Sequence, residues 1–440
     1  MVNRLQVAPD IYFPIEIGAR ELSGYLLLGA RLADEGLNVI IGHKEPVQAL
    51  IRQAERPGII YYKGDARTEK FGRTDFAYVG QDPEMGIIYR DYAEFVAGRP
   101  FSMGRIPTSD GYFTYGQFDY FHLRTCFESS RHMIHPTGSP RTMLWGQLGA
   151  VFFKHQVLEI AERYAPFVLV ASRGGRGDRW DRLQNPERSR QVRRTADELL
   201  RRAQQVQAAT GYNVVIRPHH SEDWREWKRS VTNFDGISID SAYALSPWIR
   251  ASEFVVQAPT STTAFEAWEA GKMAIASEPP QPYIAKDGSR ADFIAHLLCV
   301  SSDCFLGGSG LDLDAALKDY EGKKSLGELE RMVRNRLYTP GRDATREIAS
   351  VLLDMVDAPS RYDAKPNLMS FGREWAQNPN WRQRINREEL ARYRPPPEKR
   401  WPLELTSIKE RLSVAQEVLG IRKEILARAP MRNTVLLSAE

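Results

Sequence analysis

Arg217, His219 and His220 follow directly on the apolar run Val214–Ile216 in "VVIRPHHSEDW" (214–224). A strand ending in a guanidinium and two imidazoles concentrates positive charge at one point. Such a point suits an anion: arginine offers a bidentate pair of N–H donors, and an imidazole can donate to a phosphate or neutralise a leaving group. The bland reading pairs Arg217 with Glu222 and makes one histidine a buried structural donor.

Three other stretches sit where a strand is expected to end. In "APTSTTAFEAWEAG" (258–271), Ser261, Thr262 and Thr263 open a helix with three hydroxyls and free N–H groups, an arrangement that can cradle a phosphate without a Walker lysine. Glu266, a turn further on, could accept from ribose hydroxyls. An ordinary N-cap explains one of those hydroxyls, not three. In "SRGGRGD" (172–178), Gly174 and Gly175 would let the backbone approach a ligand, although the G-x-G-x-x-G spacing of a dehydrogenase loop is missing. In "GQDPEMGIIY" (80–89), Asp82 and Glu84 place carboxylates in a turn, where one could take a proton from an acceptor hydroxyl. A solvent-exposed turn acid is the alternative. Arg20, Glu21 and Lys63 fall at or near element ends on the same side and are assigned to the acceptor. No Cys/His ligand set is present, so no metal site is expected, and protein donors would stabilise a departing phosphate.

These positions need a scaffold that brings strand ends together. Strands are expected at 11–17, 37–42, 58–64 and 74–80, with helices at 19–36 and 46–56 between them. A turn-rich stretch, 97–117, interrupts the pattern. A short strand near 132–138 and a helix at 148–163 follow it. The alternation then restarts with strands at 166–172, 212–218, 253–258 and 272–277 and helices at 190–211, 246–252 and 261–271. Such alternation predicts parallel sheets covered on both faces: an α/β protein with two doubly wound, Rossmann-like domains facing a cleft. The expected domains are an acceptor domain (1–160), a nucleotide-sugar domain (161–360) and a proline-punctuated helical extension (361–440). In that extension Ser407 and Glu410 read as a capping box for one helix over 407–429, with Ile408, Leu412, Ala415 and Leu419 as its apolar stripe.

Composition narrows the class. At 440 residues, 42% hydrophobic and 26% charged, the chain reads as a globular protein too long for a single core. No apolar run approaches the ~20 residues of a membrane span, and the first residues lack a secretory pattern. Three cysteines without metal-ligand spacing suit a reducing compartment. The expected location is the cytoplasm, with peripheral contact to an inner membrane or a biosynthetic complex left open. The net charge is +4; the arginine-rich run 173–202, interrupted by Glu187, Asp197 and Glu198, reads as a solvated helix face, and no nucleic-acid-binding motif accompanies it, so nucleic acid is not an expected partner.

The order and spacing of "PIEIGARELSGYLLLGARLADEGLNVIIGHK" (14–44), "DPEMGIIYRDY" (82–92), "TGSPR" (137–141), "VVIRPHHSEDW" (214–224) and "SPWIRASEFVVQAPTSTTAFEAWEAG" (246–271) resemble bacterial surface carbohydrate (polysaccharide) biosynthesis proteins of the two-domain GT-B type. The resemblance covers roughly the first 280 residues. Such proteins are similar to inverting transferases that use CMP-activated acidic sugars: sialic acid, its relatives, and Kdo. The resemblance implies a metal-independent glycosyltransferase with no cofactor beyond a nucleotide-sugar donor, probed first as CMP-linked, and a glycan or lipid-linked glycan acceptor. It implies Glu84 as catalytic base, His219 on the CMP phosphate, and Ser261, Thr262 and Thr263 around it. Met85 stands where those enzymes carry an acid, so the base falls to Glu84 or Asp82. His220 stands where they carry proline, so either imidazole can serve. A CDP-glycerol-type polyol-phosphate transferase, a UDP-sugar 2-epimerase and a non-catalytic scaffold are the alternatives.

Overall fold

The computed structural model describes residues 10–63, 73, 75–81, 109–172, 186–219, 222, 224–259, 261–280, 283–284, 290–291, 293–306, 310–338, 343–356, 403–430 and 433–439, and for 186–192, 283–284 and 290–291 the backbone alone. These residues divide into two compact units. One takes residues 10–81, 109–141 and 343–439, the other residues 142–338.

The first unit alternates as its sequence predicts: β1 (Ile11–Ile15), α1 (Gly18–Asp34), β2 (Val39–His43), α2 (Lys44–Gln53), β3 (Ile59–Lys63) and β4 (Ala77–Gln81). Two short strands extend the sheet, one that the sequence conceals and one that it places near 132–138. β5 (Gly111–Phe113) lies in the turn-rich stretch and β6 (Ile134–His135) lies beyond it. Parallel pairing gives the spatial order β2-β1-β3-β4-β5-β6. The order reverses between β1 and β3, so the crevice outside the carboxyl ends of these two strands is this sheet's topological switch point. β1, β2 and β3 are buried nearly throughout, as strands covered on both faces must be. On one face Tyr12, Ile40, Ile60, Tyr62 and Tyr78 pack on Val47, Leu50 and Ile51 of α2. On the other, Phe13, Tyr25, Tyr61 and Phe113 form an aromatic chain with centroids 5.1–5.9 Å apart.

The second unit carries β7 (Phe167–Ala171), β8 (Asn213–Arg217), β9 (Ile237–Ile239), β10 (Val255–Gln257) and β11 (Ala274–Ala276), all parallel, in the order β11-β10-β7-β8-β9. Counted from β7 this is the 3-2-1-4-5 order of a Rossmann half, with its switch point between β7 and β10. Val168, Val170, Val214, Ile216 and Val256 bury one face of the sheet against Ala196, Leu199, Ala203 and Val206 of the helix Pro186–Thr210. Two antiparallel pairs follow, β12 (Tyr283–Ile284) with β13 (Arg290–Ala291) and β14 (Phe305–Leu306) with β15 (Gly310–Leu311). The chain is thus an α/β protein built from two Rossmann-like units.

The C-terminal stretch departs from the single helix its sequence suggests. The helix runs Leu405–Leu419, starting before Ser407, so Ser407 and Glu410 form no capping box. It stops at Gly420, whose φ of 65° is the left-handed conformation glycine adopts without strain. "ILAR" is then a strand, β16 (Ile425–Arg428), and β17 (Thr434–Ala439) pairs antiparallel with both β16 and β2. The apolar stripe itself is as expected: Ile408, Leu412, Ala415 and Leu419 are buried, and the helix packs on α1, where Arg31 Nη2 donates to Leu419 O at 3.2 Å.

Candidate functional site

The switch point of the second sheet is flanked by the residues after β7 and β10, with the end of β8 next in order. Ser172 follows β7; its N–H donates to Arg217 O at 3.1 Å. Its hydroxyl donates to Glu222 Oε1 at 2.7 Å. The other oxygen of Glu222 accepts from His219 N at 2.7 Å and from Trp227 Nε1 at 3.1 Å. Glu222, 3% exposed, therefore ties the turn after β8 to the end of β7 and to a wholly buried tryptophan. The carboxylate holds the loop on which His219 sits, and its bonding donors are not the Arg217 side chain.

Arg217 turns elsewhere. Its Nη2 donates to Tyr243 O at 2.9 Å, and its buried Nε finds no hydrogen-bond partner among the described residues. Burial pushes the guanidinium down to about 10, against the fields of Glu266 and Asp240. A cation that remains this costly to charge is set to gain from a bound anion. Tyr243 holds a φ of 61°, an outlier for a bulky residue. Its loop is clamped: Asp240 Oδ1 accepts from Ala242 N at 2.8 Å, Trp248 Nε1 donates to Ala242 O, and Tyr164 donates to Asp240 Oδ2 at 2.8 Å. Such backbone strain persists where surrounding contacts over-determine it, as they do here.

Beyond β10, Ser261 Oγ and Thr263 Oγ1 share a hydrogen bond of 2.8 Å, and Thr263 N donates to Ser261 Oγ at 3.3 Å. Thr262 is the N-cap of the helix Thr263–Glu269 and makes no side-chain capping bond. The three hydroxyls thus divide into an internal pair and one that the turn leaves uncommitted to the cap. Glu266 is 3% exposed, and its charge acts on Arg217 and on Arg250, whose Nη2 donates to the carbonyls of Leu144, Trp145 and Gly146. Glu266 is therefore a buried counter-charge between two arginines in the electrostatic sense. Neither Arg250 nor Tyr243 stands out in the sequence. "WIRA" reads as an ordinary helix, and nothing about a tyrosine announces a positive φ.

The first unit gathers Arg20, Glu21 and Lys63 at its own switch point. Glu21 Oε2 accepts from the backbone N–H of Glu16 at 2.8 Å and of Ile17 at 3.5 Å, and Lys63 Nζ lies 4.0 Å from Glu21 Oε1. Burial raises the Glu21 carboxyl, opposed by Lys63, the Glu16 N–H and Arg20. Burial and then Arg20 push the Lys63 ammonium down to about 8, opposed by Glu21 and Glu16. Asp82, Glu84, Gly174, Gly175 and His220 lie outside the described residues.

Two Rossmann-like units with polar clusters at their switch points define the class of protein. No protein-family model matches the sequence, and no curated protein matches it. Among solved structures the chain is similar to UDP-N-acetylglucosamine 2-epimerase from Rickettsia bellii, with TM-score 0.49 and 12% identity, covering 81% of this chain and 99% of that one. It is similar to a variant of the wall teichoic acid polymerase TagF soaked with CDPG, with TM-score 0.47 and 11% identity, covering 79% and 88%. It is also similar to UDP-GlcNAc 2-epimerase from Neisseria meningitidis bound to UDP-GlcNAc, with TM-score 0.43 and 12% identity, covering 78% and 99%.

Proposed function

We propose that the protein is a glycosyltransferase of GT-B form acting in surface glycan synthesis, and that its second unit binds the nucleotide of an activated sugar, CMP-linked in the first instance. One observation carries the reading. The 3-2-1-4-5 sheet has its switch point beside an arginine whose buried Nε is unsatisfied among the described residues. Open α/β sheets bind ligands at that crevice, and the planar fork of a guanidinium fits the oxygens of a phosphate. On this reading Arg217 neutralises the departing phosphate, His219 donates to it, and Thr262 and the Ser261–Thr263 pair line its far side. The acceptor hydroxyl attacks the anomeric carbon from the opposite face and loses its proton to Glu84 or Asp82. The nucleotide leaves with the bonding electrons, inverting the configuration.

Calorimetry with CMP, CDP and UDP tests this. CMP preference supports the CMP-sugar reading, CDP preference the polyol-phosphate transferase, and UDP preference the epimerase. Arg217→Met is expected to weaken the preferred nucleotide by tenfold or more, since a hydrogen bond to a charged group contributes about 1.5–3 kcal/mol. Arg217→Lys keeps the charge and loses the fork, so it should fall between. A protein that binds none of the three nucleotides would instead favour a non-catalytic scaffold.

A further inference from the structure

We infer that Glu21 and Lys63 form a clamp for a sugar hydroxyl, so that the first unit binds a pyranoside through a hydroxyl bridging Lys63 Nζ and Glu21 Oε1. This deepens the acceptor half of the proposed function and rests on it.

Glu21 is 6% exposed, and one of its oxygens is satisfied through the N–H groups of Glu16 and Ile17. The other accepts no hydrogen bond among the described residues. Lys63 stands 4.0 Å from that oxygen, beyond a direct hydrogen bond, and its side chain is 20% exposed. Two polar groups 4.0 Å apart are spaced so that one oxygen can lie roughly 2.8 Å from both. The group placed there must accept from an ammonium and donate to a carboxylate. A hydroxyl does both, whereas a phosphate or carboxylate anion can only accept and would face Glu21. A second carboxylate, Glu16, is already engaged: Tyr62 donates its hydroxyl to it and Lys44 lies 3.8 Å away. The clamp is thus held from α1 and β3 at the switch point of the first sheet, where ligands of open α/β sheets bind.

The test follows the ε-methylene NMR signal of Lys63 in the full-length protein, assigned by its loss in Lys63→Arg, while methyl glucoside, methyl galactoside and methyl mannoside are titrated in turn. A saturable shift with at least one glycoside, weakened about tenfold in Glu21→Gln, is expected. No saturable shift with any of the three, or a shift unchanged in Glu21→Gln, overturns the clamp. Nucleotide titrations on the same samples keep the two readings apart. A glycoside shift without nucleotide binding fails the donor site alone, and nucleotide binding without a glycoside shift fails the clamp alone. Should Glu21→Gln not fold, Lys63→Met followed through the amide signals around Ile17 gives the same discrimination.

Discussion

A buried carboxylate is stabilised by the donors it satisfies, and among the described residues Glu222 satisfies Ser172 Oγ, His219 N and Trp227 Nε1. Glu222→Ala would leave those donors unsatisfied and is expected to cost about 2–4 kcal/mol in chemical denaturation. Glu222→Gln keeps an acceptor oxygen and should cost about 1 kcal/mol. Lys63 makes a prediction of opposite character. Its ammonium titrates near 8 in the folded protein, below the ordinary lysine value. Between these two values the unfolded chain holds a proton that the folded chain does not, so stability from this group rises as pH increases through that window. Wild type is therefore expected to gain on Lys63→Met as pH rises above 8, by a denaturation midpoint measured at several pH values. A difference that does not move with pH contradicts the assignment. Residues of this kind were only half legible. Arg217, His219 and the Ser261–Thr263 turn announce themselves by type and by position after apolar runs. Arg250 and Tyr243 do not, because their roles come from contacts with segments far away in the chain.

Elements were legible where periodicity was long enough to be diagnostic. The 17 residues of α1 and the runs that became β1, β2, β7 and β8 could be placed from their apolar patterns. β5 has three residues, opened by a glycine within a turn-rich stretch, and three residues display no period. The C-terminal hairpin was hidden for another reason: "EILARA" has good helix formers, and its strand conformation is imposed by β17 pairing with β2. That pairing depends on a close approach at Gly29 of α1, where an added Cβ would meet Ile41 Cδ1 and Leu437 Cδ1, each at 3.0 Å. Gly29→Ala, normally worth up to about 1 kcal/mol in a helix interior, is expected to destabilise here. Leu437, wholly buried, should cost about 2–5 kcal/mol as Leu437→Ala. Combining the two should recover part of the loss, because the shortened side chain makes room for the new methyl. Strict additivity in a double-mutant cycle would contradict the packing described.

At the scale of the whole molecule, the same topological device occurs twice in one chain. Each unit has a run of parallel strands whose order reverses once, and each reversal collects polar side chains from distant parts of the sequence. Alternation of strands and helices made the two sheets legible. The switch points follow from strand order, which pairing decides and which no local pattern records. The two clusters differ in chemistry: the second unit sets a buried guanidinium beside its crevice, the first a carboxylate and an ammonium with a gap between them. On the proposed reading, anion recognition and hydroxyl recognition fall to different units. The most direct measurement is hydrogen exchange across the full chain with and without the tightest of CMP, CDP and UDP. The account predicts slowed exchange at the residues following β7, β8 and β10, around Ser172, His219 and Ser261–Thr263, and loss of that protection in Arg217→Met. Protection confined to the first unit, or unchanged in the variant, would contradict it.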